Sequence, residues 1–210
     1  MSLLIDPLSS NFLPSFLAGV AVNFEIAAIA LAVGLGLGIL LAFARLRGSV
    51  AGMAASAVSG LMRAAPTFVV MFFLLNALPH NARLSGVMIV AMSLVPYAAA
   101  YVADSSVDAL RQLRTGSQLA CFLILPNIAR AFFVLVMSSS AGAAIGVPEG
   151  IAVILRQAEQ LPSLGEKLTL FAVGVACFGV PLQAGFAVIR LVQHHLGRVN
   201  LRTRPTCRRA

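Results

Sequence analysis

Residues 26–44 read IAAIALAVGLGLGILLAFA, a run in which no side chain carries a charge. A helix needs about 20 mainly apolar residues to cross the hydrocarbon core of a bilayer, which is about 30 Å thick. Lipid offers no hydrogen bonds to exposed peptide groups, so a spanning segment of this kind must satisfy its own backbone as a helix. We therefore predict a transmembrane helix here, beginning near Phe16 and ending near Phe43.

Four further stretches have the same character: 64–83, 85–103, 131–148 and 168–189. Arg83, the last residue of the first of them, is the one charged residue that they contain. The chain of 210 residues is 60% hydrophobic and 10% charged, whereas soluble domains carry roughly 25% charged residues. The sequence thus predicts an all-α membrane protein with five transmembrane helices.

The basic residues are concentrated towards the C-terminus, where six arginines have no acidic neighbour: Arg190, Arg198, Arg202, Arg204, Arg208 and Arg209. The segment before the first span contains the acid Asp6 and no lysine or arginine. The positive-inside rule therefore predicts a cytoplasmic C-terminus. Because five is an odd number of crossings, the N-terminus is then expected outside. This placement accounts for the net charge of +8, and we expect no nucleic-acid binding.

The length leaves no room for a separate soluble domain, so we expect one transmembrane domain over residues 1–198 and a basic cytoplasmic tail over 199–210. Gly34 and Gly38 form a GxxxG pair inside the first span, which is typical of closely packed helices. Residues 48–62 are small and weakly polar. That composition suits a helix packed tightly against its neighbours, or one that lies near the membrane interface.

The second span begins with Arg63-Ala64-Ala65-Pro66-Thr67. An arginine at the membrane edge can simply extend its charge to the lipid headgroups. Pro66, however, has no amide hydrogen and bends a helix, and bent helices at membrane depth tend to line cavities. We therefore predict that Arg63, Pro66 and Thr67 shape a bent span beside a solute pathway.

Polar side chains in the third and fourth spans are further candidates for that pathway. Tyr97 and Tyr101 are four residues apart and share one helix face. They are either anchors at the membrane interface or a polar stripe along a conducting path. Three consecutive serines, Ser138, Ser139 and Ser140, mark either a tight helix crossing or an irregular, hydrated segment.

No catalytic motif is found: the chain has no HExxH, no GxxxxGK[ST] and no paired acids within one span. His194 and His195 are adjacent in sequence, so they cannot both face one metal ion from a helix. We therefore expect neither a metal site nor an enzymatic activity. An ATP-driven role would need its ATP site on another chain.

Several short motifs follow one another along most of the chain: Leu41-Ala42-Phe43-Ala44-Arg45, Arg63-Ala64-Ala65-Pro66-Thr67, Phe72-Phe73, Leu78-Pro79, Ala100-Tyr101-Val102-Ala103-Asp104, Leu125-Pro126-Asn127 and Ile145-Gly146-Val147-Pro148-Glu149. Their order resembles that of the permease subunits of ABC importers for polar amino acids, of the type I importer fold. The resemblance implies a subunit of the bacterial inner membrane that moves a polar amino acid or similar small solute by alternating access. It also implies ATP-binding cassette ATPase subunits, a second permease subunit (identical or different) and an extracytoplasmic solute-binding protein as partners.

The chain departs from that family at the cytoplasmic loop that couples the permease to its ATPase. The corresponding stretch is several helical turns shorter, and the residues that stand for the coupling loop are Asp108, Ala109, Leu110, Arg111 and Gly116. A non-transporting structural or regulatory membrane subunit is therefore the principal alternative. A lipid-modifying enzyme and a secondary transporter are disfavoured, because no reactive cluster and no inverted repeat is visible.

Overall fold

In the computed structural model, the chain is described over residues 12–78, 84–114 and 124–203. These residues form seven α-helices and one 3₁₀ helix, and no strand occurs within the same ranges. The helices are α1 (Phe12–Leu46), α2 (Val50–Ala64), α3 (Thr67–Ala77), α4 (Gly86–Arg114), α5 (Ile124–Ser138), the 3₁₀ helix (Ser139–Ile145), α6 (Gly150–Glu159) and α7 (Leu164–Thr203).

Four helical segments within the described ranges are long and apolar enough to cross a membrane: α1, α4, α5 with its 3₁₀ continuation, and α7. Helices α2 and α3 meet the same criteria together, but their axes differ by 93°. The predicted all-α membrane fold is therefore confirmed. The described part of the span predicted over 64–83 is mainly the 11-residue helix α3. The count is therefore four crossings, or five if α2 and α3 together make one.

The break between α2 and α3 has a local cause. Pro66 cannot donate a backbone hydrogen bond, and the residue before a proline is driven out of the helical conformation. Ala65 accordingly has φ −66° and ψ 117°, and Thr67 begins a new helix. The predicted bend at Pro66 is confirmed.

Helices α1 and α4 form the centre of the bundle and run parallel to each other. A Cβ atom on Gly34 would lie 2.5 Å from Cβ of Ala98, and one on Gly38 would lie 2.6 Å from Cβ of Val102. These contacts leave no space for a side chain, so both glycines permit the two backbones to approach closely. The predicted packing role of the GxxxG pair is confirmed.

Helices α5 and α7 are antiparallel, since Gly185 lies against Phe133 while Gln193 lies against Asn127. The C-terminal parts of α1, α4 and α7 and the start of α5 therefore lie at one end of the bundle. Seven described arginine side chains gather there: Arg45, Arg47, Arg63, Arg111, Arg114, Arg130 and Arg190. We call it the arginine-rich end. We call the opposite end, where α6 lies, the Glu149 end.

One predicted boundary is wrong. The third span was predicted to stop before Asp104, but α4 continues ten residues further to Arg114. The stretch from Asp108 to Arg111 is therefore helical and not a loop. Alanine, leucine, arginine and glutamine are all strong helix formers, and no glycine or proline interrupts them before Gly116. Gly116 itself, like the tail beyond residue 203, lies outside the described residues.

The fourth span begins at Ile124, seven residues before the uncharged stretch at 131–148. It changes into a 3₁₀ helix at Ser139, which agrees with the irregular segment that the serine run suggested. This segment ends at Gly146, whose φ of 81° is in the left-handed region that favours glycine. At the other end of the chain, α7 ends at Thr203.

Candidate functional site

A polar cleft of about 400 Å³ opens at the arginine-rich end of the bundle. Most of its lining comes from one face of α4, because positions four, seven, eight and eleven residues apart fall on the same side of a helix. Helix α2 contributes its last turn and α5 its first. The lining residues are Arg63, Tyr97, Tyr101, Asp104, Ser105, Asp108 and Asn127.

The two tyrosines form the aromatic wall of the cleft. Their ring centroids are 6.2 Å apart and their planes are inclined by 33°, a spacing within the range of favourable aromatic pairs. Pro96 lies immediately before Tyr97 inside α4. A proline within a helix removes the hydrogen bond to the carbonyl four residues earlier, so the helix is locally weakened where the cleft begins.

An ion-pair cluster links three helices at the edge of the cleft. Arg45 at the end of α1 bonds to Oδ1 of Asp104 at 2.6 Å, while Arg63 in the last turn of α2 contacts Oδ2 of the same carboxylate. The Asp104 side chain is one-third exposed, so solvent screens each pair and each contributes modestly to stability. The main role of these ion pairs is geometric, because one aspartate on α4 holds α1 and α2 in place.

A second polar cluster is buried at the Glu149 end. Nδ2 of Asn23 donates to Oγ of Ser139 at 2.8 Å and to Oε2 of Glu149 at 3.0 Å. The amide of Gly150 in turn donates to Oδ1 of Asn23 at 3.0 Å. Asn23, Ser139 and Glu149 are all fully buried. One asparagine on α1 thus joins the start of the 3₁₀ helix to the start of α6.

Glu149 also caps helix α6. Its carboxylate accepts hydrogen bonds from the amides of Ile151 at 2.9 Å and Ala152 at 2.8 Å, which are donors that a helix N-terminus otherwise leaves unpaired. Burial raises the pKa of the Glu149 carboxyl above its ordinary value, while the bonds from Ile151, Asn23 and Ala152 oppose that shift. The hydrogen-bond donors around Glu149 therefore offset part of the free energy that burial of its carboxylate costs.

The structure divides the predicted pathway residues between several places. Arg63, Tyr97 and Tyr101 line the polar cleft together. Pro66 is exposed and Thr67 half-buried at the break between α2 and α3, outside the lining of the cleft. The serine run lies at the other end of α5, about 18 Å along the helix from Asn127. Within it Ser139 is buried, whereas Ser138 and Ser140 are half-buried.

Sequence reasoning passed over Asn23, Glu149 and Asn127 as site residues. A signal was present for Asn23, because an asparagine inside an apolar helix needs a polar partner. The residues expected to form the coupling element are placed on the extension of α4. There Asp108 and Arg111 are exposed, Leu110 is half-buried and Ala109 is buried.

Within the described parts of the chain, no group of three or more His, Cys, Asp or Glu side chains is arranged to hold a metal ion. The cleft instead offers a guanidinium, carboxylates, an amide and two aromatic faces. That set can bind a small solute carrying both charges through ion pairs, hydrogen bonds and cation–π contacts.

No protein-family model and no curated protein matches this sequence. Two solved structures match it closely in fold. An amino acid ABC transporter crystallised with histidines is similar with a TM-score of 0.66 and 18% identity, over 88% of this chain and 95% of that chain. The chain has the fold of an ABC importer permease.

The MetNI methionine ABC transporter, in an inward-facing conformation, shows the same permease fold. Its TM-score is 0.60 at 20% identity, over 89% of this chain and 98% of that chain. Both neighbours are thus covered almost completely, so the permease fold is present as a whole and not as a shared helix pair. The resemblance inferred from the short motifs is confirmed at the level of fold.

Proposed function

We propose that this chain is the membrane-spanning permease subunit of an ATP-driven importer for polar amino acids or similar small solutes. The observation that carries the proposal is the importer-permease fold over almost the full length of two transporter chains. The polar cleft supports it, since Tyr97 and Tyr101 from α4 meet Arg63 from α2 there. ATP hydrolysis is assigned to a separate subunit.

The arginine-rich end is proposed to face the cytoplasm. Seven arginines and two aspartates are described at that end, whereas the described lysine and arginine residues near the Glu149 end are Arg156 and Lys167, beside four glutamates. Lysine and arginine are retained on the cytoplasmic side of membrane proteins. With this orientation the N-terminus is outside, the C-terminus is inside, and the cleft opens towards the cytoplasm.

The extension of α4 is proposed to contact the ATPase. Helix α4 continues about 15 Å past Asp104, and its exposed Asp108 and Arg111 project beyond the ion-pair cluster. Movement of this extension would be transmitted along α4 to the two tyrosines. Closure of the ATPase would thereby favour one of two arrangements of the helices around the solute, as alternating access requires.

The cleft chemistry suits a zwitterionic solute. The guanidinium of Arg63 can pair with a carboxylate, while the faces of the two tyrosine rings can contact an ammonium group. A second permease subunit would complete the pathway, and an extracytoplasmic solute-binding protein would deliver the solute at the Glu149 end. In a bacterium this assembly belongs to the inner membrane.

One observation favours the alternative of a non-transporting structural or regulatory subunit. Nine residues separate the end of α4 at Arg114 from the start of α5 at Ile124. This interval is short for a separate coupling helix, so contact with an ATPase would depend on the α4 extension itself. The two candidates therefore differ in whether that extension binds an ATPase.

Affinity purification from the native membrane distinguishes them. The tagged chain should retain one ATPase subunit per permease chain. Asp108→Lys combined with Arg111→Glu should abolish that retention, while Arg156→Glu, a matched surface change at the opposite end, should leave it intact. Recovery of the folded chain without any ATPase would favour the structural role and contradict the proposal.

A further inference from the structure

Helix α2 lies across the bundle and not along it. Near its start, a Cβ atom on Gly52 would lie 3.3 Å from the carbonyl oxygen of Arg45. Near its end, Arg63 contacts Asp104, which is itself bonded to Arg45. The helix is about 22 Å long, yet its start lies against Arg45 and its end is joined to Arg45 through Asp104. Its axis therefore runs across the end of α1.

The following helix supports this direction. Helix α3 packs against α4, and its Met71 is buried in the core formed by α1, α4 and α5. Its axis is inclined by 93° to that of α2. Arg63, just before α3, contacts Asp104, whereas α3 itself packs on a core whose α4 members lie between Ile89 and Ala98. Helix α3 therefore leads from the level of Asp104 towards the middle of the bundle, and α2, at 93° to it, lies in the membrane plane.

The two faces of α2 differ sharply. Gly52, Ala55 and Ser59 are buried against α1 and α4. On the opposite face, Val50 is 77% exposed, Met53 69% and Leu61 73%. Helix α4 extends beyond Asp104 to Arg114, so α2 packs against the side of α4 and does not cover its end. The apolar face of α2 is therefore directed sideways, away from the bundle.

The polar groups of α2 do not require water on that face. The hydroxyl of Ser56 donates to the carbonyl of Gly52 at 2.9 Å, and that of Ser59 donates to the carbonyl of Ala55 at 2.8 Å. The charges lie at the two ends instead. Arg47 precedes the helix and is exposed, and the side chain of Arg63 in the last turn is 55% exposed. No acidic residue occurs between these two arginines.

We propose that α2 is an in-plane membrane helix that binds anionic phospholipid. Its face of Val50, Met53 and Leu61 lies among the upper acyl chains, and Arg47 at its start contacts the headgroup phosphates. Arg63 adds a positive charge at the other end, where it is paired with Asp104. Charge complementarity favours this occupant, because basic residues flanking an apolar helix face are the features that bind an anionic leaflet. The site does not depend on transport, and it would be present in either functional candidate.

The depth of α2 can be measured directly, because the chain contains no tryptophan. Leu61→Trp places one fluorophore on the exposed face of α2. Val33→Trp is the control, since Val33 is 48% exposed on α1 and lies about 18 Å from Arg45 along that helix. Each variant is reconstituted in phosphatidylcholine–phosphatidylglycerol vesicles whose lipids carry bromine at a shallow or a deep position.

We expect Leu61→Trp to be quenched most by the shallow bromines and Val33→Trp most by the deep ones. Maximal quenching of Leu61→Trp by deep bromines would mean that α2 crosses the bilayer. Absence of quenching would mean that water, a second copy or another protein covers this face. Either result would overturn the proposal.

The headgroup contact is tested with spin-labelled phosphatidylglycerol. Arg47→Gln should weaken its association with the protein about fivefold, since one arginine near an anionic surface contributes about that factor. Arg156→Gln, at the Glu149 end, should leave the association unchanged. Arg47 is preferred to Arg63 because it is not one of the two arginines that contact Asp104. Equal binding by Arg47→Gln and the unaltered protein would refute a phosphate contact at α2.

Discussion

Replacing Asn23 with leucine should destabilise the protein strongly, because the side chain is fully buried and makes three hydrogen bonds. The substitution leaves the amide of Gly150 without its acceptor and removes one of the three donors that surround the Glu149 carboxylate. An unsatisfied buried group costs about 1–3 kcal/mol, and more when it is charged. Ser139 keeps its bond to the carbonyl of Val136 and adds little. The expected loss is about 3–5 kcal/mol.

The assay is unfolding of the purified protein by denaturing detergent, followed by far-ultraviolet circular dichroism. Asn76→Leu is the matched control, because Asn76 is exposed and bonds to the carbonyl of Phe72 within its own helix. That control should change stability by less than about 0.5 kcal/mol. If Asn23→Leu unfolded at the same detergent fraction as the control, the buried cluster would not stabilise the fold.

A double-mutant cycle separates direct contact from general disruption. Asn23→Leu and Glu149→Gln should be non-additive, with a coupling free energy of about 1–2 kcal/mol, because the two side chains are in contact. Simple additivity would show that the side chains do not interact, and would refute the geometry of the cluster.

Three further predictions concern the same architecture. Because burial raises the pKa of Glu149, the folded state holds its proton more tightly than the unfolded state, so the thermal midpoint should fall as the pH rises from acid towards neutral. Glu149→Gln should flatten that slope, and an unchanged slope would exclude Glu149 as its source. Gly34→Leu should lower the free energy of unfolding by about 1–3 kcal/mol, because the new side chain forces α1 away from α4. Gly36→Leu is the control and should be tolerated, because its side chain meets open space. Equal effects of the two substitutions on detergent unfolding would contradict the packing of α1 on α4. Arg45→Gln should destabilise more than Arg63→Gln, because its side chain is 22% exposed against 55%, and the reverse order would show that exposure does not determine the strength of these pairs.

The positions of the long helices could be predicted from sequence because the bilayer imposes a simple requirement. A run such as 26–44 must be apolar throughout and must be helical, and both conditions can be read from composition. The packing of Gly34 and the bend at Pro66 could also be predicted from sequence, because each depends on the intrinsic chemistry of one residue type. Such features need no knowledge of which helices are neighbours.

The buried cluster could not be predicted in the same way. Asn23 and Glu149 are separated by 126 positions, and nothing in the local pattern of either segment specifies the other as its partner. The angle between α2 and α3 is another tertiary property. Pro66 explains why the helix breaks, but the direction of α2 depends on packing against α1 and on the contact of Arg63 with Asp104.

The error at the end of α4 has a different origin. The prediction ended the helix at Asp104 because the apolar run ended there, so the limit of the membrane was taken as the limit of the helix. The residues that follow are strong helix formers with no terminating signal. The helix therefore continues to Arg114, and the proposed ATPase contact becomes a rigid extension of a spanning helix.

Labelling of single cysteines in intact bacteria tests the central claim most directly, namely that the chain crosses the inner membrane as an importer permease with its arginine-rich end inside. In a background with Cys121, Cys177 and Cys207 replaced by alanine, Arg156→Cys reports on the Glu149 end and Arg47→Cys on the arginine-rich end. A membrane-impermeant maleimide that reaches the periplasm should label Arg156→Cys in intact cells, and Arg47→Cys only after the inner membrane is opened. Labelling of Arg47→Cys in intact cells, with or without labelling of Arg156→Cys, would contradict the account.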